Sequence, residues 1–408
     1  MQRRPALLVL LLLFVPYAAF ASAHPKVRTI CAFIRIDRSG YKAQIEQAVM
    51  MLRAAKKAYE QEGWEVETVR ITTQPFPEYV EGVPREEGLR FLMELDALAA
   101  REGFLLNIGP AMTSDADDPA RMELLGEVLS RGKIINASAS IAGEDGVHWK
   151  TVRAAARLVK QVEEKSPHGQ GTFSFAAAAM MPPFSPFFPA SFHTSPGRRF
   201  AVGLEAANLV DAVLGETQDP VEAVRRLSAE LERHAREAEG VAMGHSRRSG
   251  WEYLGLDPTP APLMDVSIGA AIERFSGHRL GSSGTLAAAR LITDAVRAVG
   301  VKQVGYSGLM LPVMEDRRIA QRWSEGALSM DALLAYSAVC ATGLDTVPLP
   351  GDVSEEQIAR IFGDVASLAH KWKKPLAARL QPAKGKHAGE RTEFDDPYLE
   401  NATLQPLP

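Results

Sequence analysis

The stretch VRTICAFIRI at residues 27–36 is almost continuously apolar and β-branched. Such a run is typical of a strand that is covered on both faces, as in a parallel sheet. Asp37-Arg38-Ser39-Gly40 interrupts it, and apolar residues between Ile45 and Tyr59 then recur at spacings of three and four. The second pattern predicts an amphipathic helix, so the two segments together predict a βα unit.

The same alternation continues along the chain and predicts a mostly parallel α/β fold. Residues 205–213 and 330–342 are predicted to be helical, with Gly343 ending the second helix, and residues 304–313 are predicted as a buried strand and loop. Further strands are predicted at 64–71, 104–108, 133–137, 172–178 and 374–380, and further helices at 86–101, 147–164, 220–239, 286–299 and 354–372.

Composition excludes several classes of protein. The chain has 408 residues, of which 46% are hydrophobic and 24% charged, as in ordinary globular proteins. Its net charge of −4 supplies no basic surplus for phosphates, so we expect a small-molecule ligand and no nucleic-acid partner. Two cysteines are too few for a disulfide framework or an all-cysteine zinc site.

The N-terminus predicts a signal peptide over residues 1–23. Arg3 and Arg4 precede an apolar run at residues 6–15, and Ala21-Ser22-Ala23 is a small-x-small cleavage pattern. A retained anchor is the alternative, but the run is shorter than the roughly 20 residues of a membrane helix. Cleavage after Ala23 predicts a secreted or periplasmic protein with no membrane association, spanning residues 24–408. Whether Cys31 and Cys340 pair in that oxidising compartment stays open.

Residues 180–196, MMPPFSPFFPASFHTSP, cannot form a regular element because they carry five prolines and four phenylalanines. They predict either a long ordered loop over the mouth of the fold or a structural crossover. Arg247 to Gly250 forms a polar break, which places a subdomain boundary near residues 245–255.

Several long motifs resemble the domain-of-unknown-function 711 family. They are GSSGTLAAARLIT at 281–293, GYSGLMLPVMED at 305–316, YSAVCATGLDTVPLPGD at 336–352, KPLAARL at 374–380 and GERTEFDDPY at 389–398. The resemblance implies a single α/β barrel of about ten strands, similar to pyruvate formate-lyase and ribonucleotide reductase and built from two five-stranded half-barrels. The half-barrel boundary would then lie near 245–255.

Those enzymes use a glycyl radical in an Arg-Val-(Ser or Ala)-Gly-Tyr pattern near the C-terminus and a cysteine at the barrel centre. Here only Lys302-Gln303-Val304-Gly305-Tyr306 is similar, without the arginine and about a hundred residues before the end. The resemblance therefore implies the fold without radical chemistry, because fold alone is no warrant for a reaction.

Ligands of parallel α/β folds bind at the carboxyl ends of the strands. We expect those ends to carry polar side chains that either bind a ligand or cap the next helix. A second candidate is the loop Gly281-Ser282-Ser283-Gly284-Thr285, whose glycines and hydroxyls precede a helix and predict an anion site or a helix cap. The strand-end residues are Asp37, Arg38, Asn107, Asn136, Asp257 and Arg379.

Acidic residues in apolar or glycine- and proline-rich surroundings form the third candidate set. Buried carboxylates are paired with Arg or Lys, hydrogen-bonded, or bound to a divalent cation such as magnesium or calcium. His193 is a candidate acid–base residue or a structural histidine, and Cys340 a candidate nucleophile or a core residue. The carboxylates are Glu205, Asp257, Asp265, Glu315, Asp316 and Asp345.

Together these residues predict a secreted small-molecule enzyme that takes an anionic ligand. In this hypothesis Glu205, Asp257 and Asp345 orient substrate or cation, Asn107 and the loop from Gly281 to Thr285 bind the ligand, and His193 or Cys340 reacts. A non-catalytic solute- or cation-binding protein and a structural role are the alternatives. Oligomeric state stays open.

Overall fold

A computed structural model describes residues 24–407, and the predicted signal peptide lies outside this range. Ten strands form one sheet in the order β8-β7-β1-β2-β3-β4-β6-β10-β9, with β5 paired to β4. The strands are β1 (Lys26–Ile34), β2 (Val66–Thr73), β3 (Leu105–Pro110), β4 (Ile135–Gly143), β5 (Gly146–Val147), β6 (Phe175–Ala179), β7 (Arg199–Glu205), β8 (Glu252–Asp257), β9 (Gly343–Pro350) and β10 (Leu376–Ala383).

The sheet consists of two groups of strands that run in opposite directions. The first strand group consists of β1, β2, β3, β4 and β6, which are parallel to one another. The second strand group consists of two parallel pairs, β7 with β8 and β9 with β10. The joins β1–β7 and β6–β10 are antiparallel. The carboxyl ends of one group therefore lie beside the amino ends of the other.

The two edge strands, β8 and β9, are bridged by an irregular segment at residues 302–314. The Leu256 amide donates to the Lys302 carbonyl (2.8 Å), and the Val313 amide donates to the Asp345 carbonyl (2.9 Å). Within residues 24–407 no ladder pairs β8 directly with β9. An α/β fold with ten strands is thus confirmed, whereas a closed barrel stays a prediction.

Helices alternate with the strands, because amphipathic segments follow the buried runs. Ser354 opens the last helix with the predicted capping box, in which its hydroxyl accepts from the Gln357 amide. No helix within residues 24–407 is both long and apolar enough to span a membrane. The helices are α1 (Tyr41–Gln61), α2 (Pro77–Val80), α3 (Arg85–Glu102), α4 (Ala120–Arg131), α5 (Trp149–Lys165), α6 (Ala207–Leu214), α7 (Pro220–Ser249), α8 (Ile268–Ser276), α9 (Thr285–Arg297), α10 (Arg317–Ser324), α11 (Met330–Ser337) and α12 (Glu355–Trp372), with a 3₁₀ helix at Pro167–Ser174.

Three predictions for the second half were wrong. Residues up to Glu205 form β7, and the helix begins only at Ala207. α11 ends at Ser337, and Gly343 begins β9 instead of ending a helix. Residues 304–313 are mostly buried but form no strand, because they connect the two edges of the sheet without joining a ladder. The polar break at 247–250 lies at the end of α7, directly before β8.

The loop between β6 and β7 crosses the concave face of the sheet. The Asn107 amide donates to the Pro189 carbonyl (2.6 Å), and a ring nitrogen of His193 lies 2.8 Å from the Ile34 carbonyl. Ile34 is the last residue of β1, so the loop covers the carboxyl end of that strand. We call residues 180–198 the crossing loop, since they both connect the two strand groups and pack between them.

Candidate functional site

A cavity of about 560 Å³ lies on the concave face, beside the tip of the crossing loop. Its walls come from both strand groups, so the sheet curves around it. Phe187, Phe188 and Pro189 supply the apolar wall at the loop tip. The charged lining residues are Arg28, Glu65, Glu67, Arg70, Lys133, Glu315, Asp345, Arg379 and Asp396.

The cavity lies at the amino ends of the first strand group. Arg28, Glu67 and Asn136 lie within the first three residues of β1, β2 and β4, and Arg70 lies near the middle of β2. The cavity does not lie at the carboxyl ends of these strands, where the crossing loop packs against β1, and a ligand site at those ends stays a prediction. Asp37 and Arg38 lie beyond β1 and are exposed, and they do not line the cavity.

A continuous chain of ion pairs runs along one wall. Arg28 Nη1 lies 2.6 Å from Glu205 Oε2 and 3.0 Å from Glu67 Oε2. Arg28 Nη2 lies 3.5 Å from Glu315 Oε2, and Glu315 also pairs with Arg379. Glu205 and Glu315 are therefore paired with arginine, which is one of the alternatives that the sequence left open.

Asp345 ends this chain. Its Oδ1 accepts from Arg379 Nε (2.5 Å), which lies in the neighbouring strand β10. The surrounding carboxylates raise the pKa of Arg379 against the opposing effect of burial, so its charge is fixed. The structure thus brings together Glu205, Asp345, Glu315 and Arg379, all of which the sequence had singled out.

Glu205 is the titratable member of this chain at neutral pH. Burial and, to a smaller extent, the neighbouring Glu67 carboxylate raise its pKa to about 7, against the attraction of Arg28. Two carboxylates that share one site retain a proton between them. Glu205 can therefore give or take a proton near neutral pH.

Arg70 differs from Arg28 and Arg379 because no ion pair links it to a carboxylate of residues 24–407. Its Nε donates to Thr68 Oγ1 (3.1 Å), and its Nη1 lies 3.4 Å from the Pro186 carbonyl. The guanidinium carbon lies 5.0 Å from the centre of the Phe188 ring. Burial, with the nearby charge of Arg28, lowers the pKa of Arg70 to about 10, so it remains a cation at neutral pH.

A buried cation without a carboxylate is costly unless something compensates its charge. Arg70 is 7% exposed and lines the cavity. The guanidinium is a planar donor that matches carboxylate and phosphate groups. The cavity wall therefore contains a buried guanidinium whose charge no carboxylate of residues 24–407 neutralises by an ion pair.

His193 and Asp257 lie outside the cavity wall and are already bonded to the protein. His193 Nδ1 lies 3.0 Å from Ser195 Oγ, and burial lowers the His193 pKa to about 4. Asp257 accepts from the amides of Thr259 and Tyr306 (3.0 and 2.8 Å), although burial raises its pKa to about 6. Asn107 likewise has its amide occupied by the crossing loop. His193, Asp257 and Asn107 are therefore not part of the cavity lining.

The predicted anion loop lies away from the cavity. Gly281, Ser282, Ser283, Gly284 and Thr285 do not line it, and the Gly281 amide donates to Thr285 Oγ1 (3.0 Å) within the loop itself. A Cβ at Gly281 would meet the Ala327 carbonyl, so this glycine serves close packing. Anion binding by this loop remains a prediction.

Both cysteines are buried free thiols, which answers the question of their pairing. Cys31 Sγ lies 3.4 Å from Thr72 Oγ1, which lies 2.7 Å from Ser191 Oγ in the crossing loop. Burial raises the pKa of the Cys31 thiol to about 12. Cys340 packs in the main hydrophobic core.

The other two predicted carboxylates have structural partners. Asp316 caps α10 by accepting from the Ile319 amide (3.1 Å) and accepts from the Ser267 hydroxyl (2.5 Å). Asp265 is exposed and pairs with Arg317. Neither lines the cavity.

Sequence reasoning missed Arg28, Glu67 and Arg70 as functional residues. A signal was present, because each is a charge inside a segment predicted to be a strand. Charged groups are almost never buried without a partner, so such residues indicate an interior polar site.

Fold and site together define an α/β protein with a charged, ligand-sized cavity on the concave face of a mixed sheet. Comparison with known sequences narrows this class. The family model described as Uncharacterised ACR (DUF711) matches residues 20–396, so the chain belongs to that family. A UPF0210 protein of Pyrobaculum aerophilum is 30% identical over 90% of this chain and 85% of its own. One of Methanopyrus kandleri is 29% identical over 91% and 85%.

Solved structures give a more distant similarity. An anaerobic ribonucleotide reductase is 10% identical and covers 94% of this chain and 74% of its own, with a TM-score of 0.39. The Thermotoga maritima enzyme in complex with dATP and CTP is 9% identical and covers 92% and 78%, with a TM-score of 0.39. Similarity at this level supports no conclusion about the activity of this chain.

Proposed function

We propose that this protein is a secreted enzyme that acts on a small organic anion bound in the cavity. The observation that carries the proposal is Arg70, a buried cation in the cavity wall without a carboxylate partner. A carboxylate or phosphate group of the ligand would complete its coordination. Secretion rests on the predicted signal peptide.

The chemistry that the wall supports is proton transfer. Glu205 has a pKa of about 7, and Glu67, which pairs with the same arginine as Glu205, lines the cavity. Glu315 and Asp345 also line it and can accept hydrogen bonds from hydroxyl or amino groups of the ligand. The substrate class is therefore a small acid that carries a second polar group.

Ligand-induced thermal stabilisation tests the anion site. The probes are inorganic phosphate, acetate, pyruvate and citrate, applied to the wild type, Arg70→Gln and Arg360→Gln. Arg360 is an exposed residue of α12 that pairs with Glu356 at 2.9 Å, so it serves as the matched control. We expect at least one probe to raise the Tm of the wild type and of Arg360→Gln and to lose this effect with Arg70→Gln. Equal shifts in all three proteins, or no shift with any probe, would overturn the proposal.

A solute-binding protein without catalysis is the second candidate. It is favoured by His193 and Asp257, whose polar atoms are occupied by protein groups. Both candidates need Arg70, but only the enzyme needs the carboxylate pair. NMR of a stabilising probe distinguishes them, since conversion that Glu67→Gln abolishes indicates an enzyme, and an unchanged probe indicates binding alone.

A further inference from the structure

Two histidines and a glutamate meet on the outer surface, away from the cavity. His24 precedes β1, and His234 and Glu237 lie one turn apart on α7. One ligand atom from each residue lies within 4.8 Å of the other two. Glu237 Oε2 is 3.8 Å from His24 Nε2 and 3.7 Å from His234 Nδ1.

His234 has a nitrogen that points to a missing partner. The residue is 2% exposed, and its buried Nδ1 makes no hydrogen bond within residues 24–407. A buried polar atom without a partner is costly and needs an explanation. A cation between Nδ1 and Glu237 would supply one.

Arg233 is the competing group. Its Nη2 lies 2.6 Å from His234 Nε2. A metal at Nδ1 requires the imidazole proton to move to Nε2, which would then donate toward Glu230 Oε1, 3.4 Å away. Arg233 must turn aside for this, which breaks its ion pairs with Glu230 (2.6 Å) and Glu237 (3.3 Å), and its half-exposed side chain can then point into solvent.

We propose that His24, His234 and Glu237 form a binding site for a divalent transition metal, with zinc as the representative ion. Two imidazoles and one carboxylate are a ligand set that zinc accepts, with a fourth position left for water or substrate. That position would face a surface cleft of about 690 Å³, which Gln61, Glu62 and Trp64 also line.

The predicted cleavage after Ala23 would add a ligand. It would leave His24 as the first residue, with a free α-amino group next to its own imidazole. This one element of the site rests on the secretion in the proposed function, whereas the three side chains do not. Zinc binding and anion binding involve different residues, so either can fail without the other.

Isothermal titration of the metal-free full chain with ZnCl₂ tests the site. We expect one ion per chain, with affinity weakened at least about tenfold by His24→Gln or by Glu237→Gln, since even outer-shell substitutions cost that much. His24 and Glu237 side chains are 41% and 48% exposed, so neither substitution threatens folding. His278→Gln, at an exposed histidine elsewhere, is the matched control and should bind as the wild type does.

Two further readouts separate this site from adventitious binding. Arg233→Gln should tighten zinc binding, because it removes the competing cation. Cu²⁺ should quench Trp64, whose ring centre is 4.1 Å from that of His24, and Trp64→Phe should remove that part of the quenching. No zinc binding, equal affinity in His24→Gln and wild type, or weaker binding by Arg233→Gln would overturn the proposal.

Discussion

Arg28 Nη1 and Glu205 Oε2 lie 2.6 Å apart although 177 residues separate them in the chain. Arg28 lies near the start of β1, and Glu205 is the last residue of the antiparallel strand β7. The contact therefore joins the two strand groups at the end of the sheet where the cavity lies. It also places a titratable carboxylate next to a fixed positive charge.

Removal of the charge of Arg70 and removal of the charge of Arg379 should change the free energy of unfolding in opposite directions. Arg70→Met removes a cation without a carboxylate partner, so we expect the free energy of unfolding to rise by about 1–3 kcal/mol. Arg379→Met leaves Asp345 and Glu315 without this partner, so we expect a loss of about 3–5 kcal/mol. Urea denaturation of both variants measures the difference, and a loss with Arg70→Met as large as with Arg379→Met would contradict it.

Glu205 should make the protein less stable as pH rises. Its pKa is raised from 4.5 to about 7 in the folded state, so the folded protein binds more protons between these values. Stability from this group is complete below pH 4.5 and is lost as pH rises through 7, by on the order of 3 kcal/mol. Denaturation from pH 5 to 8 should show that the free energy of unfolding of the wild type falls relative to that of Glu205→Gln as the pH rises. Glu216→Gln, at an exposed carboxylate, should keep the wild-type profile.

His193 should have the opposite pH dependence. Its pKa is lowered from 6.5 to about 4, so the unfolded state binds more protons between these values. Its contribution is complete above pH 6.5 and is lost as pH falls toward 4. We expect His193→Gln to be less acid-sensitive than the wild type, measured by denaturation at pH 4.5 and 7. A control at exposed His278 should leave the acid sensitivity unchanged.

Gly305 should be required for structural reasons. It has a φ of +71°, and a Cβ there would meet Asp257 Oδ2. Gly277 has almost the same φ, +70°, but open space around it, so Gly277→Ala isolates the backbone strain. We expect a loss of about 1 kcal/mol for Gly277→Ala and a larger loss for Gly305→Ala. Equal losses would show that the contact with Asp257 has no cost.

The first half of the fold could be predicted because its segments are locally consistent. The apolar runs before α1 and after α3 are strands, as expected. In the second half, the capping box at Ser354 starts a helix, which was also expected. The strand β9 was not predicted, since its sequence GLDTVPLP contains two prolines, which argue against a strand. Proline is tolerated at sheet edges, and β9 is an edge strand, but edge position depends on topology that a single segment does not reveal.

The site was predicted only in part, for a related reason. Glu205 and Asp345 stand out as carboxylates in apolar surroundings and Arg379 as a strand-end residue, and one chain of ion pairs connects all three. Arg70 lies near the middle of its strand, whereas parallel α/β proteins bind ligands at strand ends, so its position gave no such signal. The antiparallel second strand group and the crossing loop move the cavity to the other end of β2, and both are long-range features.

The crossing loop also has a kinetic consequence. Because it packs over the carboxyl end of β1, we expect a ligand of the proposed enzyme to reach Arg70 from the opposite end of the sheet, past the cavity-lining residues Lys133 and Asp396. Entry and exit would then use the same opening, so a product would have to leave before the next substrate binds. A product that retains the anionic group would compete with substrate for Arg70, and turnover by the proposed enzyme would slow as that product accumulates.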